Sequence, residues 1–138
     1  MSSGELDKRI EKGKAYSKPG GWKEYAEDPR QTGLSLDLNE QLIRNKKETF
    51  FFRMKGDSMK YAGIFDKDIL VVDRGIRSLS GKLVIASFNG ELVVRRIKYA
   101  SENIILETGN ALFKNEQVHV DADFEVWGVI TYVIHSYY

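Results

Sequence analysis

The dipeptide Asn89-Gly90 constrains this chain more than any other pair of residues. Both residue types accept the left-handed backbone that a two-residue hairpin loop requires, and a run of strand formers lies on each side. Leu83 to Phe88 precedes the pair and Glu91 to Lys98 follows it. With Asn89-Gly90 as the loop, Phe88 pairs with Glu91, Ala86 with Val93 and Val84 with Arg95. Side chains two apart share a face, so Val84, Ala86, Val93, Arg95 and Ile97 lie together, while Leu92, Val94 and Arg96 lie on the other face. The register therefore sets one cation, Arg95, among aliphatics. That costs free energy unless the guanidinium is paired, takes part in chemistry, or snorkels to water at the strand end. Pattern alone leaves these alternatives open.

The rest of the chain from Thr49 onward reads in the same way. Phe50, Phe52 and Met54 alternate with Phe51, Arg53 and Lys55. Ile69 to Asp73, Asn103 to Leu106, Val118 to Val120 and Glu125 to Ile134 supply further short strands between turn signals. Together they predict a mainly β, compact and largely antiparallel domain. One short helix is expected ahead of it. Asp37 with Glu40 fits a capping box, Leu38 and Leu42 share a face, and the helix should end near Asn45. Residues 1–35 differ in kind, being rich in Lys, Glu, Gly and Ser, with Leu6, Ile10 and Leu34 as the main aliphatics. Such a segment buries little, so it is expected to be an arm, either mobile or docked through Trp22 and Tyr25. The domain proper would then occupy residues 36–138.

Composition excludes several classes of function. The 138 residues suffice for one domain with a core, and a net charge of +1 offers no bulk attraction to nucleic acid or membrane. There is no cysteine, and the two histidines, His119 and His135, lack ligand-like spacing, so no disulfide, metal or cofactor is expected. No apolar run approaches the roughly 18 residues of a membrane span, and the N-terminus has no signal-peptide core. A cytoplasmic protein is the expectation.

Chemistry enters at Gly56-Asp57-Ser58-Met59, directly after the aromatic strand. A turn there holds a serine hydroxyl at the rim of a sheet, where it can serve as a nucleophile if a base takes its proton. The ordered series Phe52 to Met59, Gly63-Ile64-Phe65-Asp66-Lys67-Asp68-Ile69-Leu70-Val71-Val72-Asp73, Val84-Ile85-Ala86, Val93-Val94-Arg95-Arg96 and Glu125 to Ile130 resembles the LexA/UmuD self-cleaving peptidases. The likeness is closest to UmuD, since Leu36 to Ile43 looks like the short helical segment after UmuD's arm and no helix-turn-helix precedes the domain. It covers roughly residues 36–138, and the arm only loosely.

The resemblance implies a LexA/UmuD-type peptidase β domain in a homodimer. Ser58 would be the nucleophile, and the lysine that serves the family as general base would fall on Arg95. A RecA filament would stimulate removal of the arm, at a bond best matched by Gly20–Gly21 ahead of Trp22. The shortened protein would join a Y-family, UmuC-like polymerase for SOS mutagenesis by translesion synthesis. Neither direct sequence-specific DNA binding nor a membrane is implied.

Arg95 departs from that pattern. A Ser-Lys dyad needs a neutral amine, which burial makes available by lowering lysine's pKa from about 10.4. A guanidinium stays protonated in proteins and is a very poor base. Lys98 faces away by strand alternation, nothing in the pattern brings Lys60 or Lys82 to Ser58, and a register error of one residue would substitute Arg96, another arginine. Three readings follow. The chain is a UmuD-like SOS protein with impaired or lost self-cleavage, an active RecA-stimulated peptidase with its base elsewhere, or a phage or plasmid regulator of the same fold acting by heterodimerisation. A signal peptidase is disfavoured for want of an anchor. Around the motif, Asp57 is expected as a turn residue, Met59 as core, Asp66-Lys67-Asp68 as a turn, and Asn110 as a loop cap preceded by Thr108-Gly109, with Thr108 where the family often has proline. Tyr132, Tyr137 and Tyr138 are either dimer-interface or surface aromatics.

Overall fold

A computed structural model gives the fold, and it describes residues 16–18, 22–24 and 37–138. The chain divides by packing into two units, Met1–Gln41 and Leu42–Tyr138. In the first, β1 (Tyr16–Lys18) and β2 (Trp22–Glu24) pair antiparallel with Lys18 opposite Trp22. Gly20 and Gly21, the expected cleavage position, lie outside the described residues.

The helix is shorter than its sequence signal. Asp37 caps α1 (Leu38–Leu42) by accepting a bond from the Asn39 N–H at 2.9 Å, and its carbonyl accepts from the Gln41 N–H at 3.0 Å. The helix stops at Leu42 rather than near Asn45. There the Asn45 carbonyl is taken up by the next turn, accepting from the Glu48 N–H at 3.2 Å and the Thr49 hydroxyl at 2.7 Å.

The second unit holds one seven-stranded sheet. Its strands are β3 (Thr49–Arg53), β4 (Ile69–Asp73), β5 (Leu83–Phe88), β6 (Glu91–Tyr99), β7 (Ile104–Glu107), β8 (Glu116–Val118) and β9 (Phe124–Ile134). The spatial order is β3-β4-β9-β5-β6-β7-β8, and every neighbouring pair is antiparallel. The β5–β6 hairpin has the expected register, with Phe88 opposite Glu91 and Val84 opposite Arg95, and Asn89 and Gly90 both take positive φ. The strand expected at Val118 to Val120 is displaced, because β8 spans Glu116–Val118. Val118 is the last residue to find a partner, Ile104, and the chain then turns, with the Ala122 N–H bonded to the His119 carbonyl.

Central strands are buried on both sides. Ile85 joins Met54, Met59, Ile64, Leu70, Val72 and Ile130 in one core cluster, whereas its neighbours Val84 and Ala86 join Ile97, Leu106 and Val129 in a second. Period-two alternation along a single strand thus feeds two cores. β9 reaches both its neighbours only by bulging. Its pairing shifts beside Val71/Val72 and again beside Ile85/Ala86. A Cβ at Gly128 would lie 2.6 Å from Val72 Cγ1, so that close crossing excludes any larger residue.

Candidate active site

Ser58 sits in a turn tied down by three hydrogen bonds to two other segments. The Gly56 N–H donates to Asp66 Oδ1 at 2.7 Å, on the segment that leads into β4. The Ser58 carbonyl accepts from the Gly109 N–H at 2.8 Å, and the Asp57 carbonyl accepts from Asn110 Nδ2 at 2.9 Å. After the serine, Met59 is buried in the first core and a 3-10 turn runs from Lys60 to Ala62. Asp57 therefore serves this turn through its backbone. Asp66 does more than turn the chain, since its carboxylate anchors the loop holding the serine.

The Gly109–Asn110 loop is the main clamp, and its sequence explains why. A Cβ at Gly109 would lie 2.6 Å from Ala62 Cβ and 2.9 Å from Ala62 N, closer than carbon atoms pack. Only glycine allows its N–H to reach the Ser58 carbonyl while its own carbonyl accepts from the Tyr61 N–H. Buried Asn110 uses both ends of its amide, with Oδ1 accepting from the Leu112 N–H at 3.1 Å. The Thr108 hydroxyl lies 3.1 Å from the Asn110 carbonyl and 3.0 Å from that of Phe113, closing the loop where proline was expected in the family pattern.

Arg95 meets Ser58 across this turn. Its side chain is only 12% exposed, so the snorkelling reading is overturned. Every nitrogen of the guanidinium is engaged. Nε and Nη2 donate to Glu116 Oε1 at 3.4 and 3.2 Å, and Nη1 donates to the Val94 carbonyl at 2.8 Å and to Ser58 Oγ at 3.3 Å. Burying the cation is tolerable because it is paired and hydrogen-bonded. Direction matters for chemistry. A nucleophilic hydroxyl must donate its proton to a base, whereas here the neighbouring group donates to the hydroxyl. Arg96, the off-register alternative, bonds instead to the Gly81 carbonyl at 2.7 Å.

The lysines weighed from sequence stand elsewhere. Lys98 is paired with Glu107 at 3.3 Å, Lys60 lies over the Tyr61 ring, and Lys82 lines a separate cavity with Arg44, Ile76 and Val129. One lysine not singled out beforehand, Lys55, does line the cleft containing Ser58. That cleft has a volume of about 310 Å³, with Phe52, Leu92, Val94 and Phe113 as its apolar walls and Arg53 and Arg95 as further cations. Glu116 was also missed. It has no local sequence signal, since it enters the site from the outermost strand, β8, beyond β7.

A family model described as Peptidase S24-like matches residues 15–131. The chain belongs to the peptidase S24-like family. Among its S24-like relatives, SamA of Salmonella typhimurium is 35% identical over 121 residues, which cover 86% of this chain and 80% of that protein. ImpA of Escherichia coli is 37% identical over 108 residues, covering 72% and 68%. The LexA repressor of Syntrophobacter fumaroxidans is 34% identical over 104 residues, covering 75% of this chain and 49% of the repressor. The likeness to UmuD and LexA read from the motif series holds at the level of the family. Among the described residues no helix is long and apolar enough to cross a membrane, and no cluster of His, Asp or Glu has the makings of a metal site.

Proposed function

We propose that this chain is a UmuD-like SOS-response protein, a dimeric accessory subunit of an error-prone translesion polymerase, in which self-cleavage of the N-terminal arm is impaired or lost. Residues 1–35 form the arm, residues 36–138 the peptidase-fold domain, and the protein acts in the cytoplasm beside a RecA filament and a UmuC-like polymerase. The observation that carries the reading is the Arg95 Nη1 bond to Ser58 Oγ. A cation that only donates occupies the place opposite the serine where the family's base is expected. A positioned general base contributes on the order of 100- to 10,000-fold, and its loss reduces self-cleavage by a comparable factor.

Intact-mass measurement tests the reading. The wild-type protein, incubated with and without a RecA filament, keeps its full mass. Arg95→Lys loses an N-terminal fragment, first at the alkaline end of the range between about pH 7 and pH 10 in which a buried lysine sheds its proton. Cleavage by the wild-type protein that disappears with Ser58→Ala would refute the impaired-peptidase reading. Failure to recover the cognate polymerase in a pull-down would refute the accessory-subunit reading.

A second reading rests on Lys55, which lines the cleft with Ser58. In it the chain is an active RecA-stimulated self-cleaving peptidase whose base comes from β3's extension rather than from β6. Wild-type cleavage that is lost in Lys55→Gln and kept in Arg95→Gln would select it.

A further inference from the structure

We propose that Glu116 adds a second block to the chemistry of Ser58, and that it acts as a positioning residue through position 95. The inference rests on the reading of Arg95 as the occupant of the base position, and extends it to a residue for which that reading needs no role.

The geometry is specific. Glu116 pairs with Leu106 on β7, and Leu106 pairs with Ile97 on β6, so the carboxylate reaches position 95 from two strands away. One oxygen, Oε1, accepts from both Nε and Nη2 of Arg95. With those two nitrogens held, Nη1 is the part of the fork turned toward the Val94 carbonyl and Ser58 Oγ. The start of β8 is itself pinned, because Asn115 Oδ1 accepts from the Thr108 N–H at 3.0 Å. Glu116 is 36% exposed and Arg95 12%, so the pair is screened on one side and sheltered on the other.

The consequence follows from charge. A lysine amine becomes a base when burial lowers its pKa. A carboxylate within about 4 to 6 Å does the opposite, stabilising the ammonium by about 1 to 3 pKa units. Restoring lysine at position 95 alone therefore places the new amine beside a group that keeps it protonated. Arg95→Lys alone therefore recovers the dyad only toward alkaline pH, and removing the carboxylate charge as well extends it toward neutral pH. In the recovered reaction the Ser58 proton passes to the neutral amine as Oγ bonds to the scissile carbonyl carbon. The peptide C–N bond then breaks as the ammonium returns that proton to the leaving amine, and water hydrolyses the acyl-enzyme.

The test compares Arg95→Lys, Glu116→Gln and the double variant as full-length proteins by intact mass across the same pH range. Glu116→Gln alone does not cleave. The double variant reaches a given cleavage rate at a pH about one unit or more below Arg95→Lys, or about tenfold faster at one pH below both midpoints. Identical pH–rate profiles for the single lysine variant and the double variant overturn the role of Glu116 and leave the missing-base reading standing. If neither cleaves, the missing-base reading fails. Glu116 is then judged by NMR titration of the lysine amine introduced at position 95. A midpoint at least about one unit lower with Gln at position 116 supports the inference, and a smaller shift overturns it.

Discussion

Gly109→Ala is the substitution that most directly tests how the serine turn is held. The new Cβ would lie 2.6 Å from Ala62 Cβ, 2.9 Å from Ala62 N and 3.2 Å from Met59 Cα. Carbon atoms prefer separations of about 3.5 to 4.0 Å, so the loop must retreat by about 1 Å. Retreat is opposed by two backbone bonds at the same residue, from the Gly109 N–H to the Ser58 carbonyl at 2.8 Å and from the Tyr61 N–H to the Gly109 carbonyl at 2.6 Å. Overpacking costs about 1 to 3 kcal/mol, and each hydrogen bond weakened adds up to about 1 kcal/mol. The expected loss is therefore about 3 kcal/mol. For a domain of about 100 residues that lowers the melting temperature by about 12 °C or more. Urea titration followed by far-UV circular dichroism measures it, and the midpoint should fall with little change in slope. Ala62→Gly in the same chain removes the Cβ contact but not the backbone one, so the double variant recovers part of the loss. A Gly109→Ala protein within about 0.5 kcal/mol of wild type, the range of a neutral surface change, would refute the close approach.

Two further substitutions probe the same region. Asn110→Ala removes the Nδ2 bond to the Asp57 carbonyl, which keeps the Lys60 N–H, and the Oδ1 bond from the Leu112 N–H, and should cost about 1 to 3 kcal/mol by urea titration. His135→Phe keeps a ring against Phe65 and Tyr137 but removes the Nδ1 contact to the buried Asp68 carboxylate, leaving it the Phe65 N–H. It should destabilise by about 1 to 3 kcal/mol, and Asp68→Asn in the same background should recover part of that by removing the buried charge.

Local signals carried the fold a long way. Asn89-Gly90 and the alternation beside it specify a register that the sheet adopts residue for residue, because a hairpin is closed by its own loop and neighbours. Where elements ended was less legible. The stop of α1 depends on what the Asn45 carbonyl bonds, and the position of β8 on where Ile104 offers a partner. Asp68 shows the same limit at a single residue. In the sequence it is the end of a polar turn before Ile69. In the fold it is buried, accepting from the Phe65 N–H and facing His135 from the far end of the chain.

Sequence by itself determined a β domain, a serine on a turn, and an arginine opposite Val84, because each follows from neighbours in the chain or across a two-residue loop. Tertiary structure alone decided what that arginine does. Its head group meets Ser58, thirty-seven positions away, and Glu116, twenty-one positions away. Such meetings depend on how strands are ordered across the sheet, which no local pattern encodes. The bond runs into the serine hydroxyl rather than away from it because a guanidinium has only donors to offer.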